Sequence, residues 1–484
     1  MENLNKTIKK LNDKDYEALL TAVAGNKKDK PFMVLEAARK EQLTDSEMIE
    51  RLGVNPSTYY TLKSRLNTKI AGVLSKEVQN PIGVLMEKVA RVPANLYGTN
   101  KNISIKALEN LEKELIEYDL NNELIVVYKT LARLNLYSEH FSEYQRLYDK
   151  HVAFSLAVTK AEDTLYDFTK RLSNFLLTRS HESMEEVTMV RREMSNIYEL
   201  YESHRLFVLN SILRIYYWCK VPGNLDELKA RELEVDEILQ EIAKIFDKYE
   251  LDTFYQNIKP LVDFMYFEYY QKTKSVARAE HYFRKVNALV PELCKKHIMS
   301  FYIIQFLDSK VDKYLFDRNI DKLIDLNKDL KDHFEVDINE TYNYAVLKRF
   351  FAIGKFYEGD YAAAAKLMNE LRNEISLRNY PAFDMECKLF QALQYCMLGE
   401  QDLCLQLLTS INRVIDSDDK DFAPAKLFVK MLKAAMKTTE FRQKVSKVTE
   451  LYDQFYMAEK GNHSWLWYVR LDDHMIRRLA NPLK

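Results

Sequence analysis

Residues 43–74 read LTDSEMIERLGVNPSTYYTLKSRLNTKIAGVL, and two helix starts and one helix stop are written between Thr44 and Pro56. Thr44 and Glu47 have the spacing of a capping box, and Leu43 and Met48 that of a hydrophobic staple. Ile49 and Leu52 continue the apolar face. Gly53 follows, where the left-handed conformation that ends a helix carries little strain. Asn55 is then placed as the next N-cap, Pro56 as the first helical residue, and Val54 as a staple onto Tyr59. The stretch predicts two helices joined by a glycine turn over residues 44–75.

The second helix sorts its residues onto two faces. Tyr59, Leu62, Leu66 and Ile70 recur at three or four residues and face inward. Lys63 lies nearer that inner side and snorkels outward. Roughly opposite lie Ser57, Thr58, Thr61, Ser64, Arg65, Thr68 and Lys69, a small, hydroxyl-rich and basic surface. Side chains of this kind suit a major groove about 12 Å wide, where hydroxyls meet bases or phosphates and arginine meets guanine. With Asn55 they form the candidate nucleic-acid-binding set. The segment PSTYYTLKSRLNTKI resembles the recognition helices of bacterial helix-turn-helix regulators, including the DNA-binding parts of sigma factors and response regulators. The resemblance covers about 30 residues. It lacks the small residue often found at the fifth position of the first helix, and Tyr60 is unusual. A helical hairpin that only packs, or a degenerate helix-turn-helix used for protein contact, is the alternative.

Composition sets the frame around this stretch. Ten glycines and ten prolines are few for 484 residues, and neither occurs between Gly98 and Pro222. That gap excludes turn-rich β-structure. Leu, Lys, Glu, Ala and Met are abundant instead, and these form helices well. The fold class expected is all-α. The formal net charge of −1 means that any contact with nucleic acid comes from a local patch. Residues 51–76 supply one: Arg51, Lys63, Arg65, Lys69 and Lys76, with no acid among them. Five scattered cysteines, none in a CxxC pair, read as buried thiols of a reducing compartment. The N-terminus has no apolar signal core, and no stretch approaches the roughly 20 apolar residues needed to span a bilayer. A cytoplasmic protein without a membrane partner is expected.

Organisation follows from the breakers. Residues 13–24, with Tyr16, Leu19, Leu20 and Val23 on one face, and a helix from Pro31 with Leu35 and Ala38 inward complete a helical domain over 1–80. Pro81, Gly83, Pro93 and Gly98 mark a junction over 81–104. Helical periodicity is nearly continuous over 105–221, the expected first part of a helical repeat body. Val221-Pro222-Gly223-Asn224 interrupts it, and a second body follows over 224–484, punctuated by Pro260, Pro291, Pro381 and Pro424. Tyr270, Ala279, Phe283 and Pro291 have the spacing of a tetratricopeptide repeat. Residues 352–371 (AIGKFYEGDYAAAAKLMNEL) and 392–411 (ALQYCMLGEQDLCLQLLTSI) repeat the theme, with Gly359 and Gly399 at matching places. These units resemble degenerate tetratricopeptide repeats over roughly 250–415. An irregular helical stack is the alternative. The last segment, NHSWLWYVRLDDHMIRRL, reads as a capping helix over the final repeat.

Other chemistry is sparse. The nine histidines form no HExxH, and His463 and His474 with Asp472 and Asp473 lack a third soft ligand. There is no phosphate-binding glycine loop and no nucleophile elbow. No catalytic residue, cofactor or metal is assigned, and an enzyme is not expected. Aromatic clusters at Tyr216–Trp218, Phe264–Tyr270 and Trp465–Tyr468 read as core filling, with a peptide- or base-stacking groove as the alternative. The expectation is a bacterial-type regulator. Its helix-turn-helix head contacts DNA through residues 44–75, and its helical-repeat body binds a protein or peptide. The domain order is similar to that of peptide-responsive regulators that join a helix-turn-helix to such repeats. A scaffold for protein contacts and an RNA-binding protein are the alternatives. A regulator of this kind often dimerises to read two half-sites.

Overall fold

Helix follows helix through the described residues, and there is no strand among them. The computed structural model describes Leu20 and residues 29–40, 44–77, 81–97, 100–221, 232–294, 300–331, 334–415, 423–437, 440–458 and 466–481. The chain divides into two compact units, Met1–Tyr148 and Asp149–Lys484.

The first unit holds two hydrophobic clusters. Helices α1 (Lys30–Lys40), α2 (Asp45–Leu52) and α3 (Pro56–Glu77) build one of them. Val34, Leu35, Ala38, Met48, Leu52, Tyr59 and Leu66 are buried there, and Ile49, Val54 and Leu62 pack against them. The other cluster joins α4 (Pro81–Arg91), a 3-10 turn (Val92–Tyr97), α5 (Lys101–Glu117), α6 (Asn121–Leu134) and the first turns of α7 (Phe141–Thr178). Leu108, Leu111 and Leu115 of α5 meet Leu124, Val127 and Leu131 of α6. The breaker cluster expected to mark a junction is therefore largely helical. Pro81 opens α4, Gly83 lies inside it, and Pro93 sits in the 3-10 turn. Proline is compatible with all such positions because a first turn does not need its N–H.

The second unit continues from α7 through α8 (His181–Leu200) and α9 (His204–Lys220), α10 (Glu232–Lys248), α11 (Thr253–Lys272), α12 (Val276–Leu293), α13 (Ser300–Phe316), α14 (Ile320–Lys331) and α15 (Thr341–Glu358). Then come α16 (Tyr361–Glu374), α17 (Pro381–Leu398), α18 (Gln401–Ile415), α19 (Ala423–Met436), α20 (Phe441–Ala458) and α21 (Asp473–Ala480).

Burial alternates along this series. Helices α9, α11, α13, α15 and α17 are buried on almost every side. The intervening α10, α12, α14, α16 and α18 bury one stripe each, such as Cys404, Leu408, Ile411 and Ile415 of α18. The first set packs on itself, α9 on α11, α11 on α13, α13 on α15 and, further on, α17 on α19. The second set covers it. Gly359 and Gly399 end α15 and α17 in left-handed conformations (φ 85° and 80°). Pro381 opens α17 and Pro424 lies in the first turn of α19, but Pro260 and Pro291 lie inside α11 and α12.

The aromatic clusters fill this inner layer. Tyr216, Trp218, Phe264, Phe267 and Tyr269 are all buried, and Phe267 and Phe283 meet at 5.6 Å between ring centroids. Trp465 lies outside the described residues. Charge is also buried. Glu386 of α17 accepts from Arg349 Nη1 of α15 at 2.8 Å and from Arg179 Nη2 at 2.6 Å, and Arg349 Nη2 reaches Asp308 of α13 at 2.6 Å. Pairing offsets much of the cost of holding charges this deep.

The C-terminal stretch differs from the capping helix expected. Among its described residues only Asp473–Ala480 is helical, packed on α17, α19 and α20. Before it, residues 466–472 form a non-helical strap. The Tyr357 hydroxyl donates to the Tyr468 carbonyl at 2.7 Å and accepts the Arg470 N–H at 2.9 Å. Tyr452 does the same with the Val469 carbonyl (3.3 Å) and the Leu471 N–H (2.9 Å).

Candidate nucleic-acid interface

Local hydrogen bonds fix the α2–turn–α3 unit. Thr44 N–H donates to Glu47 Oε2 at 2.7 Å, and Glu47 N–H donates to Thr44 Oγ1 at 3.4 Å, closing the capping box. The bond from Thr44 holds the Glu47 carboxyl below the usual carboxylate range. Gly53 is left-handed (φ 59°) and its N–H donates to the Glu50 carbonyl at 3.1 Å. Asn55 Oδ1 then accepts from Thr58 N–H at 2.8 Å, and α3 begins.

A polar link across the turn sets how the two helices meet. Tyr59, fully buried, donates from its hydroxyl to Asp45 Oδ1 at 2.8 Å. Lys63 Nζ reaches both oxygens of Asp45 at 3.0 Å. Partial burial raises the Asp45 carboxyl, but hydrogen bonding, including that from Lys63 and Tyr59, outweighs it and holds the group at about 2. Burial and the adjacent carboxylate push the Tyr59 phenol up. Lys63 thus spends its charge on Asp45. The patch read from residues 51–76 loses one of its cations to an internal ion pair, which the absence of acids within that window did not reveal. Asp45 lies just outside it, in the first turn of α2. Because α2 and α3 meet in space, residues 14 and 18 positions apart become neighbours.

The outward side of α3 carries the rest. Asn55, Ser57, Thr58, Thr61, Ser64 and Arg65 are all exposed. Thr68 and Lys69 lie outside the side chains described, which in α3 end at Leu66, and so does the inward Ile70. Ser57, Thr61, Ser64 and Arg65 follow at four, seven and eight residues, one stripe about 12 Å long at about 1.5 Å per residue. The Thr61 hydroxyl donates to the Ser57 carbonyl at 2.9 Å, so it meets a ligand as an acceptor. The Asn55 carbonyl oxygen is taken by the cap, which leaves its amide N–H groups to act as donors. Arg65 pairs with no described residue. Tyr60 is 52% exposed and lies edge-on to Tyr59 at 5.5 Å. The face offers hydroxyls, amide donors and one guanidinium; the donors suit phosphates, and donors with acceptors such as Thr61 suit base edges.

Among the described residues no group of three or more His, Cys, Asp or Glu side chains is placed to hold a metal ion. His463 lies outside those residues, and Asp472 caps α21 by accepting from Met475 N–H at 2.7 Å. Cys219, Cys387, Cys396 and Cys404 are buried and Cys294 is half-buried, all as free thiols. No described helix is long and apolar enough to cross a membrane. Set against protein-family models, curated proteins and solved structures, the chain matches none of them.

Proposed function

We propose that this chain is a DNA-binding regulatory protein. In this reading α2 and α3 form a helix-turn-helix head that lays the outer face of α3 in a major groove, and the second unit is a tetratricopeptide-like solenoid that binds a protein or peptide. The observation that carries the first half is the division of α3. Tyr59, Leu62 and Leu66 turn inward, while Asn55, Ser57, Thr58, Thr61, Ser64 and Arg65 stand exposed on the outer side. The alternation of buried and one-sided helices, with glycine caps at Gly359 and Gly399, supports the second half. The test is fluorescence anisotropy of the full chain with random duplex DNA at two salt concentrations. Binding weakens as salt rises, and Arg65→Ala/Lys69→Ala lowers the slope of log K against log salt by about 2. A folded protein with no salt-sensitive binding to duplex DNA overturns the reading.

The exposed Tyr60 and the neutralised Lys63 favour a second reading, a scaffold whose head docks on protein. That reading expects partner binding unaffected by Arg65→Ala. Preference for single strands or RNA duplexes over DNA in the same assay points to RNA binding instead.

A further inference from the structure

A cavity of about 560 Å³ opens among the inner helices of the second unit. Its volume falls within the range of small-molecule sites, roughly 300–1,000 Å³. Five basic and three acidic side chains line this one, and Glu386, just behind the wall, pairs with Arg179 and Arg349, which leaves a surplus of one positive charge. Salt bridges absorb part of the charge: Lys220 meets Glu268 at 2.7 Å, and Arg349 meets Asp308. The surplus falls on Lys272 and Lys274 at the end of α11, both exposed and neither paired with a described residue. Buried polar atoms point the same way. Arg349 Nε, Asp308 Oδ1 and Gln271 Oε1 have no hydrogen-bond partner among the described residues, and all three residues line the cavity. Leaving such an atom unsatisfied in a dry interior costs about 1–3 kcal/mol, so each marks a place for a water or a ligand atom. One of them is a donor and two are acceptors.

We propose that this cavity binds a small anionic molecule that carries a carboxylate or phosphate and at least one N–H donor. The oxyanion answers the surplus charge of Lys272 and Lys274 and the Nε of Arg349. The N–H answers Asp308 and Gln271. Trp467, on the tyrosine-pinned strap, forms part of the wall and reports occupancy. The site stands whether or not α3 touches DNA.

The experiment is a titration of the full chain, followed by tryptophan fluorescence and calorimetry. One arm uses the tripeptide Gly-Gly-Glu for the carboxylate and the other adenosine monophosphate for the phosphate. Both run to about 10 mM, where even a millimolar site is mostly filled. One probe binding at one per chain supports the proposal and identifies the source of the oxyanion. Its fluorescence change disappears in Trp467→Phe, and Lys272→Glu/Lys274→Glu weakens it at least tenfold while the circular dichroism spectrum stays that of the wild type. The proposal is overturned if neither probe binds, if the double charge reversal leaves affinity unchanged, or if the fluorescence change survives in Trp467→Phe.

Discussion

Replacing Lys310 by methionine should make the protein more stable, and only below about pH 10. Lys310 lies in α13 with 2% of its surface exposed, and its ammonium is 5.0 Å from the centre of the Phe306 ring. It makes no hydrogen bond or ion pair with a described residue. Burial pulls it from the ordinary 10.5 down to about 8, opposed by the nearby Cys294. At about 1.4 kcal/mol per pH unit, holding that charge inside costs the folded state about 3 kcal/mol. The sign follows from proton binding. Between pH 8 and 10.5 the unfolded chain binds the proton and the folded chain does not, so stability rises with pH through that window. Below it the cost is present in full, and above it the cost is absent. Methionine keeps the unbranched stem and removes the charge. Urea unfolding of wild type and Lys310→Met at pH 7, 9 and 10.5 measures the gap. The variant should lead by up to about 3 kcal/mol at pH 7, and the lead should close by pH 10.5. A gap independent of pH, or a variant less stable at pH 7, refutes the reasoning, since either result means the ammonium has a partner in the folded chain.

Three further outcomes follow from packing and backbone geometry. A Cβ at Gly354 would overlap the Asn327 side chain, whose Nδ2 donates to the Phe350 carbonyl at 2.8 Å. Gly354→Ala should lower stability in thermal unfolding by about 1–3 kcal/mol, and Asn327→Ala in the same chain should recover part of that loss. Asp45→Asn should weaken the α1–α3 cluster by about 1–2 kcal/mol at pH 7, allowing for partial exposure. Because Asp45 is held at about 2, below its ordinary 3.8, that contribution is present above pH 4 and lost as the pH falls through 2. Acid titrations of the two proteins, followed by circular dichroism, should therefore converge at the lowest pH. Arg318 is exposed and left-handed at φ 55°, and Arg318→Gly should raise stability by about 1 kcal/mol in urea.

The all-helical class and the α2–turn–α3 unit were legible because their signals are local. Thr44, Glu47, Gly53, Asn55 and Pro56 act through hydrogen bonds that span at most a few residues. Boundaries elsewhere were less visible. Helices end at Asp119, Arg179, Lys274 and Arg318 in the left-handed conformation that usually advertises itself with glycine. Pro260 and Pro291 sit within helices, where tertiary packing overrides the local preference. The candidate face on α3 came from periodicity alone. The pairing that silences Lys63 did not, since it depends on the approach of a second helix. The cavity has no signal in the sequence at all. Its wall joins Gln271, Asp308, Arg349 and Trp467, residues brought together only by stacking.

The strap pinned by Tyr357 and Tyr452 carries a consequence for the order in which the chain matures. The Tyr357 hydroxyl finds its carbonyl partner 111 residues downstream. During synthesis at about 5–20 residues per second, α15 therefore waits on the order of ten seconds for that partner. Until then its phenol, and the Phe390 ring that later lies edge-on to Tyr468 at 5.1 Å, face solvent or a chaperone. The second unit can begin to stack as it leaves the ribosome, but it is sealed only when residues 468–471 arrive. Nascent chains halted before Tyr468 should be cut by protease within α15–α17, where the released 484-residue chain is protected.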